Sequence, residues 1–449
     1  MTSAHANRRP GAWLALLLMP LLVAVVAPVG HPAGFAAAAA EENERETRKT
    51  PALREATYKS LAEAQELVDA KDLAGAQQVL DDLLGKSKSL NAYEIASVHN
   101  MKAFVAFSQE DYPAAIRAYE NVLAQRPEIP VALELSTLYA LGQLYFVEEN
   151  YRKAIDYLNT WFEAAENPGP QAYVFLAQAY YQMEQYREVP PIIQEAMEVA
   201  RARDAEIKEN WWLLMRAAYY ELEDWDNVID ILEVLVRDFP KKEYWVQLSG
   251  LYGQEGMSDQ QVAAIWAAWI QGMLDQEREI LNVAGLMLQE GVPYWAGRIL
   301  EQEIEDDVVE DSSSNLQMLA QAWQMAQEVD KAIPVYQEAA RKSDEGELYY
   351  RLSQLYLDKN DCESAIDAVD NALDKGGLRN VAQAQLVRGM CQFELKRYDA
   401  AIASFNAGIR ADGADDIDLR SLRQWRSYVE NEKARDEELA RAARAAAEG

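Results

Sequence analysis

A short signature returns ten times along this 449-residue chain, at intervals of 33 to 39 residues, and no other property limits the fold as strongly. In most copies an aromatic or apolar residue follows an Asp, Asn or Gln. Three positions later comes a small or aliphatic residue. The clearest copies are Asp111-Tyr112 with Ala115-Ile116, Asn150-Tyr151 with Ala154-Ile155, Asp224-Trp225 with Val228-Ile229, and Arg397-Tyr398 with Ala401-Ile402. With the small residue as anchor, the copies fall at 76, 115, 154, 189, 228, 261, 296, 332, 365 and 401. A fixed period near 35 is the mark of stacked helix pairs, each touching only its neighbours. The expected fold is therefore all-α, a right-handed superhelical solenoid of about ten helix pairs. Such a fold presents a long surface to partners and needs no pocket chemistry.

A second pattern precedes each anchor by 16, 13, 12 and 9 positions. It reads Leu138, Leu141, Gly142 and Tyr145 in the third unit, Tyr173, Leu176, Ala177 and Tyr180 in the fourth, and Trp245, Leu248, Ser249 and Tyr252 in the sixth. Spacings of 3, 4 and 7 place these residues on one helical stripe. The small member of the stripe and the small anchor let two helix backbones approach, with aromatic rings filling the space around them. Together the two patterns resemble the tetratricopeptide repeat, in which small, aromatic and closing proline positions follow one another in this order. Pro127 and Pro240 stand 12 residues after their anchors, where that repeat ends its second helix. Arg216 at the small position of the fifth unit and Gln261 at the anchor of the sixth depart from the pattern, so those units are expected to pack less tightly.

The array is expected over residues 57–412, behind a charged lead-in at 41–56 that carries Pro51. Residues 413–449 are expected to hold a capping helix, with Leu419, Leu422, Trp425 and Val429 on one face, and a charged tail from Glu432. Asn167-Pro168-Gly169-Pro170 and the serine run between Asp311 and Asn315 read as turns inside the array. Residues 1–40 read as a secretory signal: Arg8 and Arg9, an apolar run from Trp13 to Pro28, and an alanine tract ending at Ala40. Cleavage is expected within Ala38 to Ala40; left uncleaved, the segment would serve as an inner-membrane anchor. No second apolar run of membrane length follows, so no direct membrane insertion is expected after cleavage.

The net charge is −31, from 74 acidic and 43 basic residues, and removing the leader with its two arginines makes it more negative. That balance repels nucleic acid and anionic lipid and favours basic or uncharged partners; it also serves simply to keep a large surface soluble. Of three histidines only His99 lies in the body, and there are two cysteines, so a zinc site or a histidine-based catalytic device has almost no raw material. Neither catalytic residues, nor a metal, nor a cofactor are expected. The acidic stretch from Glu301 to Asp311 lacks the spaced pattern of a calcium loop and reads as a solvated face. Cys362 occupies the aromatic slot of the ninth signature and Cys391 the first helix of the tenth unit. Both a disulfide between them and two small core fillers are compatible with those positions.

Whole phrases also resemble one family. They are Leu67-Val68-Asp69-Ala70-Lys71-Asp72, Glu128-Ile129-Pro130, Glu209-Asn210-Trp211, Phe239 through Trp245, Glu290 through Tyr294, and Leu319 through Trp323. These are similar to the periplasmic tetratricopeptide proteins that accompany TonB–ExbB–ExbD energy-transduction systems in Gram-negative bacteria, over about residues 51 to 430. The resemblance implies a non-enzymatic periplasmic subunit, with TonB, ExbB or ExbD as protein partners, that supports energised uptake across the outer membrane, typically of iron chelates. The repeat by itself fits equally a periplasmic scaffold for envelope, outer-membrane or polysaccharide assembly.

In such arrays the first helix of each unit lines the binding face. Its outward positions include Tyr139, Gln143, Phe146, Gln178, Tyr181, Tyr220, Gln321, Gln324, Tyr350 and Gln354. Glutamine amides can donate to and accept from an extended backbone, and aromatic rings add flat contact area. The expected site is a groove for a polypeptide segment; the plainer reading is that glutamine is a soluble helix former. Lys and Arg are scarce at these positions, which disfavours a clamp for a C-terminal carboxylate.

Overall fold

The computed structural model describes residues 52–448. The signal segment 1–40 and the lead-in as far as Pro51 lie outside the described residues. Those described hold 21 α-helices and no strand. In chain order the first ten are α1 (Glu55–Asp69), α2 (Leu73–Leu84), α3 (Ala92–Ser108), α4 (Tyr112–Leu123), α5 (Val131–Val147), α6 (Tyr151–Ala164), α7 (Pro170–Gln182), α8 (Val189–Ala202), α9 (Glu209–Glu221) and α10 (Trp225–Asp238). The next ten are α11 (Lys242–Gln254), α12 (Ser258–Ile270), α13 (Glu277–Gln289), α14 (Pro293–Glu305), α15 (Ser313–Met325), α16 (Val329–Lys342), α17 (Glu347–Asp358), α18 (Cys362–Lys375), α19 (Val381–Glu394) and α20 (Tyr398–Ile409). They alternate as first and second helices of ten repeats, and α21 (Asp416–Glu448) follows. Helix α1 takes in the last two residues of the lead-in.

The helices group into two compact units, one ending at Asp224 and the other beginning at Trp225. The array expected as one stretch is therefore divided within its fifth repeat, the one whose first helix carries Arg216 in place of a small residue. Inside each unit the helices of a pair meet at small side chains. Ala64, Ala103, Gly142 and Ala177 in the first unit, and Ser249, Ala284, Ala320, Ser353 and Gly389 in the second, are all buried. The anchors Ala76, Ala115, Ala154, Val189, Ala296, Ala332, Ala365 and Ala401 have no exposed surface at all. Four residues beyond each anchor a large side chain is buried, from Leu80 and Tyr119 through Leu158 and Tyr336 to Phe405. The fit is tight: a Cβ on Gly142 would lie 2.9 Å from Leu158 Cγ, and one on Gly389 would lie 2.3 Å from Phe405 Cε1. In the sixth pair, expected to be loose, Gln261 folds over Gly253, where a Cβ would come within 2.4 Å of its Nε2. Ser249 Oγ donates to the Gln261 carbonyl at 2.9 Å, so that pair closes by a different solution.

The first helix of every pair ends in the same way. The residue five before each anchor has positive φ: Lys71, Glu110, Glu149, Glu184, Glu223, Gly256, Gly291, Gln327, Asn360 and Lys396. The next backbone N–H donates to a carbonyl five residues back, as in Asp111 N to Ala106 O at 2.9 Å and Asn150 N to Tyr145 O at 2.8 Å. This is the six-to-one closure that follows a left-handed residue at a helix end. The signature's opening polar residue then caps the second helix. Asp72, Asp111, Asn150 and Asp361 accept from the N–H groups of Gly75, Ala114, Lys153 and Ser364, which otherwise lack partners. The fourth pair differs. Pro190-Pro191 begins α8 late, and residues 186–188 form a 3₁₀ turn instead.

Tyrosines nine before an anchor tie successive pairs together. Tyr145 donates to Glu120 Oε1 of the preceding helix at 2.6 Å, and Tyr252 to Glu233 at 2.7 Å. Tyr356 accepts from Gln337 at the same relative position, at 2.6 Å. At the C-terminal end α21 buries Leu422 and Val429 against Ala401 and Phe405, while Leu439 farther along is 62% exposed. Among the described residues no helix is long and apolar enough to cross a membrane.

Two stability tests follow from this packing. Gly389→Ala gains about 1 kcal/mol of helix propensity but forces Phe405 aside at a cost of about 1–3 kcal/mol, so a net loss of about 1 kcal/mol is expected. Phe405→Leu should recover much of it in the double variant, and strictly additive denaturation energies would refute the contact. The second concerns Glu94, whose side chain is fully buried. Its carboxylate accepts from the Arg54 guanidinium and backbone, Thr57 Oγ1 at 2.8 Å and the Asn91 N–H at 2.9 Å. The Arg54 guanidinium above all holds this carboxyl down to about 2, against the opposing effect of burial. A lowered carboxyl stabilises the fold above its ordinary value of 4.5, and that contribution is lost as pH falls from there towards 2. Thermal melts of the wild type and Glu94→Gln should differ at pH 6 and converge over that interval.

Candidate functional site

Six of the ten groove residues lie in the first unit and four in the second. In the first unit, α5 supplies Tyr139, Gln143 and Phe146, α7 supplies Gln178 and Tyr181, and α9 supplies Tyr220. Tyr139 packs on Trp161 and Phe175, with ring centroids 5.2 and 5.9 Å away. Phe146 packs on Tyr151 and Phe175 at 5.2 and 5.3 Å. Both are half-buried and help join α5, α6 and α7. Gln143 and Gln178 are half-buried, and Tyr220 is 59% exposed. Tyr181 meets Tyr186 edge to face at 5.2 Å.

In the second unit Tyr350 is a correction to the expected groove. It is buried in a cluster with Val369, Ala384 and Val387, and its hydroxyl reaches Gln383 Oε1 at 3.2 Å. Gln354 donates to that hydroxyl at 3.0 Å, and Gln324 accepts from the Tyr336 hydroxyl at 2.9 Å. These two glutamines support buried tyrosines. Gln321 is exposed, with its amide 3.9 Å from Met325 Sδ.

Residues passed over in the sequence complete a cleft at the end of the fourth pair. Tyr180, Tyr186 and Leu222 supply its apolar part, and Glu184, Glu188 and Arg187 its charged lining, around about 540 Å³. Tyr186 holds the aromatic slot of the fourth signature, a position assigned to packing. The signal that sets it apart is Pro190-Pro191, which keeps it out of α8. Burial first, and then the Glu221 carboxylate, pushes the Tyr181 hydroxyl up to about 12 and raises that of Tyr186 as well.

Cys362 and Cys391 are brought together as free, buried thiols in one cluster with Ala365 and Ile366. Burial, then a hydrogen bond between the two thiols, raises the Cys391 thiol well above its ordinary value. His99 is half-buried on α3, and burial followed by Lys102 lowers its ordinary value. Among the described residues no group of three or more His, Cys, Asp or Glu is placed to hold a metal ion.

A tetratricopeptide repeat profile matches residues 350–416, the stretch running from α17 to α20. The chain carries tetratricopeptide repeats. A second profile, described as anaphase-promoting complex, cyclosome, subunit 3, matches residues 108–196 of the repeat array. Similar solved structures include a crystal structure of the MamA protein, 18% identical over 37% of this chain and 88% of that one, with a TM-score of 0.31. The TPR2AB domain of yeast Sti1 in a pHSP90 complex is 14% identical over 66% of this chain and 98% of that one, with a TM-score of 0.28. The APC/C hetero-tetramer Cut9–Hcn1 is 13% identical over 82% and 90%, also at 0.28. No curated protein sequence matches the chain. Tetratricopeptide repeats are typically interaction scaffolds that bind other proteins and carry no catalytic centre of their own.

The thiol pair has a direct check. A buried thiol held in its protonated form is a poor nucleophile. Both cysteines should therefore resist maleimide in the native protein and take up two equivalents after denaturation without reductant. A mass showing no uptake after denaturation would mean that the pair is bridged in the isolated protein.

Proposed function

We propose that this tetratricopeptide-repeat protein is a non-enzymatic periplasmic subunit of a TonB-type energy-transduction complex, supporting uptake across the outer membrane, with iron chelates as the transported class. The observation that carries the reading is the set of family-like phrases spread between Leu67 and Trp323, behind a leader of the exported type. Several of these phrases build the scaffold: Trp211 and Trp323 are buried, and Pro293 opens α14. Others lie at the surface, such as Lys241 and the 42% exposed Tyr294. Repeats supply a surface for protein partners, and the acid excess favours a basic or uncharged one.

The test is crosslinking in the cell from a photoreactive residue at position 220, on the exposed end of α9. ExbB, ExbD or TonB should be recovered, from a periplasmic product that begins near Ala38 to Ala40. With the photoreactive residue kept at 220, joint replacement of Gln178 and Tyr181 should abolish capture while helical content by circular dichroism stays unchanged. Recovery of an envelope- or polysaccharide-assembly factor instead would replace this reading with the scaffold one.

A further inference from the structure

We propose that the cleft between the end of α7, the turn at 186–188 and the end of α9 receives a cationic side chain, arginine or lysine, from a partner polypeptide. The inference rests on the reading of the protein as an interaction subunit and gives one of its contact points a chemistry.

The cleft exists because the fourth pair departs from the others. In the third, ninth and tenth pairs the residue after the opening position is the first of the second helix, as with Tyr151, Cys362 and Tyr398. In the fourth, two prolines occupy the start of α8, and Tyr186, Arg187 and Glu188 are left in a 3₁₀ turn. The left-handed backbone at Glu184, with φ of 58°, sets that turn beside Leu222 at the end of α9. The resulting hollow, about 540 Å³, falls within the range of small ligand sites and is open to solvent.

Its lining favours a cation with an apolar stem. Tyrosine rings carry a negative face that attracts ammonium and guanidinium groups, while Leu222 offers apolar surface to the methylene chain. Two carboxylates, Glu184 and Glu188, face the same space against one guanidinium, Arg187. A third carboxylate, Glu221, adjoins the Tyr181–Tyr186 ring pair, and the ionised groups that act on those phenols are carboxylates. An anion would meet net repulsion there, and an uncharged apolar group would leave the carboxylates unused. Gln178 and Tyr181 on α7 and the exposed Tyr220 on α9 lie on the same helices, so the chain bearing the cation has polar and aromatic surface to follow.

The experiment measures fluorescence anisotropy of the purified mature protein with a labelled octapeptide of Gly, Ser and Gln carrying two arginines. Counterparts carry lysine or citrulline, the latter being neutral and of nearly the same shape as arginine. The arginine and lysine peptides should bind, and citrulline should weaken binding about tenfold, within the reach of a cation held on aromatic rings. Glu184→Gln with Glu188→Gln should weaken the arginine peptide by a similar factor. Tyr186→Phe, which keeps the ring and its packing, should bind as the wild type does, and Tyr186→Leu should bind several-fold worse. Arg187→Gln, removing the one positive group, should tighten binding; loss of binding in that variant would mark an anion site and overturn the proposal. Equal affinity for arginine and citrulline peptides would overturn it too. Failure of the peptides alongside successful crosslinking would sink the cleft alone, whereas peptide binding without TonB-system capture would sink only the partner assignment.

Discussion

Two helix backbones can lie side by side only where neither carries a bulky side chain at the crossing, and the rest of this molecule is arranged around that condition. At most crossings within each unit stand Ala, Gly, Ser or Val, with eight anchors excluded from solvent altogether. Close approach leaves a wedge-shaped space on either side, which the residue four beyond the anchor fills: Leu158, Tyr336, Phe405 and their equivalents. A packed interior has no room to spare, so a single added methyl at Gly142 or Gly389 lands on the filling side chain. The sixth pair shows that the condition is geometric and not a matter of residue identity. Gln261 stands at the anchor there, and Gly253, one turn beyond Ser249 on the facing helix, yields the space.

A second constraint acts through the backbone alone. The first helix of each pair ends in one left-handed residue, yet only Gly256 and Gly291 among the ten are glycines. For other residues that conformation costs roughly 1 kcal/mol or more, and the six-to-one hydrogen bond with the cap that follows offsets it. Since the turn asks nothing of the side chain beyond exposure, the position is open to whatever the surface needs. Four of the five in the first unit are glutamates: Glu110, Glu149, Glu184 and Glu223. Part of the negative charge of the protein is therefore distributed at its corners, clear of the packed helix faces. Glu184 shows how such a corner enters a binding site.

The repeat count, the anchors, the small residues facing them and the face of α21 that caps the last pair could all be read from the chain, because each rests on side-chain size at a fixed spacing. The turns could not: Lys71, Glu110 and Asn360 share no property that announces a left-handed backbone. Tyr350 reads as an outward position beside the similar Tyr349, yet it is buried while Tyr349 is half-buried against the same cluster. Tyr139 and Phe146 sit at outward positions of α5, but Phe175 on the next pair and Trp161 on α6 cover them. That depends on how neighbours stack, which one repeat does not contain. Gln324 and Gln354 also turn inward, each bonded to a buried tyrosine of its own pair, Tyr336 and Tyr350.

Residues that define the repeat are consumed in building it, which bears on where recognition can reside. Anchors and fillers face other helices, and the same positions recur from pair to pair, so they cannot distinguish one partner from another. Selectivity has to come from positions where a pair breaks the pattern and the backbone follows. Pro190-Pro191 is such a break. Two prolines without N–H groups are tolerated in the first turn of a helix, where those donors have no intrahelical partner, but they set where that turn begins. The three residues displaced ahead of them, Tyr186, Arg187 and Glu188, become surface with an enclosed side. The fold as a whole is unaffected, because Val189 is still fully buried as the anchor and α8 still packs on α7. A local change in where one helix starts thus converts a packing position into a recognition position without disturbing the stack.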